Sequence, residues 1–494
     1  MLNYIFTHIL FILIILPIIG AFYVGLFIPH TNLQKLQNTG LMFSWITFFF
    51  SLFLWIFFNN IDSKFQFIEI IYWLPAYNIN CFYGIDGISL FFILLVTFLT
   101  PICLLSTFTN INKNYKEFII LFLLMESCLI IIFSILDLFL FYIFFESILI
   151  PMFLIIGIWG SRKRKIRSNY FFFLYTLFGS IIMLLAIIYI FNVKGTTDYQ
   201  IILYNPFNFE IQKILWLAFF LGFAIKVPMF PFHIWLPEAH VEAPTVGSVI
   251  LAGILLKLGT YGFIRFLIPL FPLASVYYTP FIYILGLTGI IYTSLTATRQ
   301  IDLKKIIAYA SVAHMNLVIL GLFSFNIYGI SGSILQMFSH GIISSGLFLG
   351  IGVLYDRHHT RIIKYYGGIS YVMPLFTLIF LILILANIAV PGTSSFTGEF
   401  LILIGLNQHN FLITILAATG IVLGAVYSLW LFNRVFFGTI KTKYIVNFND
   451  ITKRELYLFL PLIFLIFIMG IYPDIFLKTM NFSIINLIEQ IKDL

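Results

Sequence analysis

Five ionisable side chains stand near the middle of long apolar runs: Glu146, Lys226, Lys257, His314 and Glu399. Each lies roughly eight to thirteen residues inside its own segment, which at ~1.5 Å rise per residue puts it near a bilayer midplane. A charge at that depth costs at least ~2.5–3.5 kcal/mol. Carboxylates, amines and imidazoles at one depth can pass protons among themselves, so the set reads as a polar path through a membrane protein.

Glu146, in Phe144-Phe145-Glu146-Ser147, is the expected partner of Lys226. In a buried pair, desolvation favours two neutral groups and mutual attraction favours two ions. A nearby charge can therefore tip a proton on or off; a static structural salt bridge is the competing reading. Lys257 has no acid in its own span and lies too far from either end to snorkel. A relay requires a second buried lysine, whereas a single static pair does not.

His314, in Ser311-Val312-Ala313-His314, and His340, in Ser339-His340-Gly341, can donate and accept at once and titrate near neutral pH. Each could equally be a satisfied core histidine. Glu399 follows a second interrupted region and is the counterpart of the Glu146–Lys226 site, and Glu126 could extend the path. Glu238, His240 and Glu242 have metal-ligand types, but no convincing fourth ligand accompanies them. Helix capping and loop packing are expected there, with Pro244 opening a helix.

The elements that position these groups follow from composition. The chain has 494 residues, is 61% hydrophobic and only 9% charged, and its mean hydropathy is +1.06. That is a membrane composition. The apolar runs are long enough to cross as helices, and the period-two alternation of a membrane β-barrel is absent. The fold class is therefore all-α and polytopic. Fourteen spans are expected, over about 4–28, 39–58, 86–108, 118–135, 136–158, 169–191, 213–235, 244–268, 279–297, 305–324, 329–354, 372–404, 411–436 and 455–476. The fourth and fifth form one apolar stretch, split at Asp137.

Net charge is +8, and its placement is asymmetric. Loops after odd-numbered spans hold Lys35, Lys113, Lys116, the run Arg162 to Arg167, Arg299, Lys304, Lys305, Arg357, Arg361, Lys364, Arg434, Lys441, Lys443, Lys453 and Arg454. Loops after even-numbered spans hold only Lys64, Lys194 and Lys213, with Arg265 at a span end. This positive-inside bias supports an even number of crossings, with both termini on the non-cytoplasmic or intermembrane side. The first run begins near Tyr4 without a basic leader or cleavage site, so it reads as a retained span, and no transit peptide is visible. Heavy use of Phe, Ile, Tyr and Asn fits an AT-rich, organellar genome.

Cys81, Cys103 and Cys128 match no iron–sulfur or zinc spacing. No G-x-G-x-x-G or P-loop is present to hold NADH, flavin or ATP, and no basic–aromatic patch points to nucleic acid. Two spans are interrupted, at Lys226-Val227-Pro228-Met229-Phe230-Pro231 and at Ala389-Val390-Pro391-Gly392. Such breaks are tolerated at membrane depth only inside protein or beside water. Their separation by five spans predicts two inverted five-helix repeats, against the alternative of unrelated proline kinks. The expected organisation is 1–117 for helices one to three, 118–268 and 269–436 for the two repeats, and 437–494 for the fourteenth helix and a tail.

The segment from Pro237 to Gly259 resembles the proton-channel family shared by respiratory complex I and the multisubunit cation/proton antiporters. So do the stretches Phe144 to Met152, Arg299 to Tyr309, Ser311 to Asn316, Gly352 to His358 and Pro391 to Phe400. The resemblance covers nearly the whole chain and is weakest before Tyr83. It implies a fourteen-helix antiporter-like subunit of the complex I membrane arm. The family's fifth-span glutamate falls on Glu146, its seventh- and eighth-span lysines on Lys226 and Lys257, and its tenth- and eleventh-span histidines on His314 and His340. The end of the path falls on Glu399. An acid there, where sister subunits usually carry lysine, resembles one branch of the family.

The resemblance further implies proton translocation as part of NADH:ubiquinone oxidoreductase with no redox site in this chain. NADH, flavin, iron–sulfur clusters and ubiquinone are expected in other subunits. Expected partners are the other membrane-arm subunits, including neighbouring antiporter-like chains, together with lipids and protons. The expected location is the mitochondrial inner membrane, with organellar encoding. The alternatives are a cation/proton antiporter independent of NADH oxidation and a purely structural membrane spacer.

Overall fold

Capping side chains set where many of the helices begin. Asp86 and Ser89 form a reciprocal capping box on Gly87–Ser106, and Thr452 and Glu455 form another on Lys453–Ile471. Asp137 accepts the N–H groups of Phe139 and Leu140 at the start of Leu138–Ser147, so the apolar stretch divides where the sequence expects it to. A computed structural model describes residues 8–111, 113–441 and 449–492; residues 4–7 of the first expected span, and Lys443, lie outside the described residues. Among the described residues, 12 helices are long and apolar enough to cross a membrane.

The expected twelfth span is two helices, Pro374–Asn387 and Ser394–His409, and in the expected seventh span the helix Phe209–Lys226 stops at the first interruption. Pro228 and Pro391 have no N–H to continue the ladder, which is why both breaks were readable. Three features differ from the expectation. An antiparallel hairpin, Gln66–Leu74 with Ile79–Ile85, joins the second and third spans. The segment after Leu236, expected as a loop, is largely the helix Trp235–Glu242. The expected tail is the helix Asp474–Lys492, which buries Phe476, Met480, Ile484 and Leu487 along one face.

The chain forms two compact units: Met1–Lys226 with Lys257–Tyr278 and Lys478–Leu494, and Val227–Leu256 with Thr279–Leu477. In the first unit the hairpin is continued by inter-helix segments. Leu136 N–H donates to Phe82 O at 2.8 Å and Tyr199 N–H to Leu136 O at 3.0 Å. The C-terminal helix is tied back by Gly87 N–H, which donates to Ser483 Oγ at 3.0 Å. Phe22, Leu26, Leu185 and Ile214 are exposed, as apolar side chains facing hydrocarbon should be.

In the second unit, Ile327–His358 is buried throughout its most apolar stretch. Ser394–His409 packs closely along it because Gly398 has no side chain. A Cβ there would stand 2.9 Å from the backbone nitrogen of Gln336. This approach brings Gln336 onto Glu399.

Candidate functional site

In the first unit, Glu146 stands one residue from the end of Leu138–Ser147 and Lys226 ends Phe209–Lys226. Lys226 is 3% exposed. Its Nζ lies 4.5 Å from the centroid of the Phe145 ring. Glu146 and Lys226 interact electrostatically, and Glu146 also has Ser180 within reach. The expected partners are thus brought together, with the aromatic ring receiving the ammonium. Glu146 Oε1 is buried and accepts no hydrogen bond among the described residues.

Lys257 is fully buried, on a stretch flanked by the π-helical turns Leu251–Leu255 and Phe263–Leu267. Such turns are frequent at functional sites. One turn further on, the Tyr261 hydroxyl donates to Phe133 O at 3.1 Å and accepts from Arg265 Nε at 3.2 Å. Arg265 Nη2 also meets Asp86 Oδ1 at 2.5 Å. The sequence presents Arg265 only as a span-end cation, whereas it is buried and paired; the legible signal was Asp86 just ahead of the third span. Glu126 accepts the Thr47 and Thr100 hydroxyls, at 2.8 and 2.9 Å, both on Oε1. The structure gives it these hydroxyl partners and none of the other predicted ionisable residues.

In the second unit, His314 Nδ1 and Glu399 Oε1 are 2.9 Å apart. Gln336 Nε2 donates to the same oxygen at 2.9 Å, and Ser339 Oγ donates to Gln336 Oε1 at 3.0 Å, which orients the amide. The His314 and His340 rings are 5.7 Å apart. Gln336 is a site residue that sequence reasoning missed. Its signal was an amide in an apolar span, four residues before His340 and therefore on the same helix face.

The Glu238, His240 and Glu242 segment has other work. Glu238 meets Lys305 at 2.6 Å, and the His240 ring stacks on Phe348 at 4.6 Å. Lys304 Nζ donates to Ala243 O at 2.8 Å, and Arg361 Nη1 donates to Val241 O. Two buried cations thus complement the carbonyl end of Trp235–Glu242.

Outside the spans, burial raises the carboxyl of Asp137, against the Thr197 hydroxyl that donates to it at 2.6 Å, and the charge of Asp198 adds to the rise. Burial likewise raises Asp198. Both carboxyls line a cavity of about 420 Å³ with Asn78, Asn80 and Lys194.

The family described as NADH:quinone oxidoreductase/Mrp antiporter, TM, matches residues 136–425. The chain is 59% identical to NADH-ubiquinone oxidoreductase chain 4 of Marchantia polymorpha over 478 residues, 97% of this chain and 96% of that one. It is 58% identical to the chain 4 of Arabidopsis thaliana over the same shares. Among solved structures it is similar to a chain of respiratory complex I from Thermus thermophilus with bound NADH. The TM-score is 0.89 at 28% identity, covering 98% of this chain and 99% of that chain.

Proposed function

The chain belongs to the chain 4 family of NADH-ubiquinone oxidoreductase and is a proton-translocating subunit of that enzyme's membrane arm, and from that premise we propose the route its protons take. The relay runs over Lys226, Lys257, His340, His314 and Glu399. Electron transfer in other subunits, which hold the NADH, flavin, iron–sulfur and ubiquinone sites, changes the Glu146–Lys226 interaction and frees the Lys226 proton. Glu399 ends the path and releases its proton to the positive side. Fourteen crossings and two inverted repeats frame the route. The subunit works in the mitochondrial inner membrane beside other antiporter-like chains, and it is organelle-encoded.

One observation carries the reading: the 2.9 Å contact of His314 with Glu399, an imidazole 11% exposed on a buried carboxylate. Such a pair can share or hand over a proton without either group meeting bulk water. The test has two stages. A native gel of mild-detergent extracts, stained for NADH dehydrogenase activity, should place this chain in a very large active band. A smaller, inactive band would favour an antiporter independent of NADH oxidation. NADH-driven proton uptake by the complex in liposomes should then fail in Lys226→Ala and Glu399→Gln. Normal coupled pumping in an assembled Lys226→Ala complex overturns the route.

A further inference from the structure

Glu399 uses a single oxygen for both of its side-chain partners. Oε1 meets His314 Nδ1 and Gln336 Nε2, while Oε2 makes no hydrogen bond among the described residues. Beside the carboxylate is a cavity of about 20 Å³. Its polar lining is His314, Asn387, Glu399 and Tyr427, in an otherwise apolar wall. About 10–15 Å³ on that scale holds one water, provided two or more polar groups can bind it.

Two further polar groups meet these conditions. His314 Nε2, the ring nitrogen turned away from the Glu399 contact, is buried and has no hydrogen-bond partner among the described residues. Tyr427 is 2% exposed, and its hydroxyl is within reach of the Asn387 side chain, which ends the half-helix Pro374–Asn387. Gly424, one turn before Tyr427, leaves the space open. A Cβ there would stand 3.7 Å from the tyrosine hydroxyl, in ordinary contact.

We propose that this cavity holds water between Glu399 Oε2 and the Tyr427 hydroxyl, and that Tyr427, held by Asn387, is the positioning residue through which Glu399 exchanges its proton with water. The proposal rests on the relay reading above and adds a division of labour to it. Oε1 faces the imidazole that supplies the proton, and Oε2 faces the water that takes it. The step is balanced: the carboxyl protonated from the imidazole rotates to bring its O–H to the Oε2 side, that O–H breaks and leaves the carboxylate, and the water gains the proton and passes one of its own to solvent on the positive side. The tyrosine accepts one hydrogen bond and donates one, so it is unchanged at the end. With a phenylalanine ring in its place, the water loses a partner in a largely apolar pocket, and the exchange slows.

The experiment uses the assembled complex carrying Tyr427→Phe, Gly424→Ala or Glu399→Gln. Two quantities are read: NADH-driven proton uptake, and hydrogen–deuterium exchange of the Glu399 carboxyl by infrared difference spectroscopy, with the band assigned from Glu399→Gln. Tyr427→Phe should slow both by roughly tenfold, the scale of one hydrogen bond, although the ring still packs. Gly424→Ala, which puts a methyl group in the cavity without a clash, should slow them likewise and decides the matter if Tyr427→Phe does not assemble. Wild-type exchange in either variant, with Glu399→Gln inactive in pumping, overturns the Tyr427 proposal and leaves the relay standing. Normal pumping by Glu399→Gln overturns both.

Discussion

The ammonium of Lys226 stands 4.5 Å from the centre of the Phe145 ring, one residue before Glu146. A cation on a ring face is held by the ring quadrupole, worth ~0.5–2 kcal/mol and more as the site dries. That is enough to keep the charge in place and weak enough to give it up. With Glu146 interacting from the neighbouring position, the lysine has two seats whose balance a modest movement can shift.

Phe145→Leu should therefore disturb pumping less than Lys226→Ala does. Losing a cation–π contact of ~1 kcal/mol corresponds to roughly a fivefold effect, whereas Lys226→Ala removes the first lysine of the proposed relay and leaves Glu146 without its counter-charge. Proton uptake per NADH in liposomes checks the ranking. Equal loss in the two variants would show that the ring serves packing alone.

Gln336→Leu should lower coupled turnover by roughly tenfold, because it removes a donor from a carboxylate oxygen that has, among the described residues, only His314 as its other partner. Ser339→Ala should do less, since Ser339 Oγ touches the amide and not the carboxylate. NADH oxidation with and without an uncoupler separates this effect from damage to electron transfer.

Arg357 holds Glu455 by a fork of two hydrogen bonds, at 2.9 and 2.8 Å, and its Nε donates to Asn449 O at 2.9 Å. It thus pins the start of Lys453–Ile471. Arg357→Ala leaves a nearly buried carboxylate unpaired, at a cost of roughly 3 kcal/mol, so the amount of assembled complex and its thermal midpoint should both fall. Arg357→Lys should lie between, since it keeps the charge without the planar fork.

Asp137 and Asp198 have raised carboxyl pKa values, caused first by burial. Between the ordinary and the raised value, the native state binds more protons than an unfolded chain does. Stability of this segment should therefore fall as pH rises through that window and level off above it. Amide exchange at Leu138 and Tyr199, whose N–H groups donate to Thr197 O and Leu136 O, should quicken with pH beyond the intrinsic base-catalysed rise. Asp198→Asn, which removes one of the two charges, should flatten that response.

Length and hydropathy are local properties of the chain, so the sequence by itself determined the helical membrane class and the apolar runs that carry Glu146, Lys226, Lys257, His314 and Glu399. It also determined the two breaks, because proline acts on its own backbone and on the turn before it. What only the tertiary structure decided is who meets whom. Gln336 is one amide in an apolar span until the bare backbone at Gly398 lets Ser394–His409 approach it. Arg265 reads as a span-end charge until the fold sets Asp86 against it. The hairpin and the C-terminal helix were hidden for the same reason: Ile79–Ile85 is stabilised by Leu136, far along the chain, and Asp474–Lys492 by Gly87. Depth follows from counting residues along a helix. Pairing follows from helix rotation and approach, which are set by packing against distant segments.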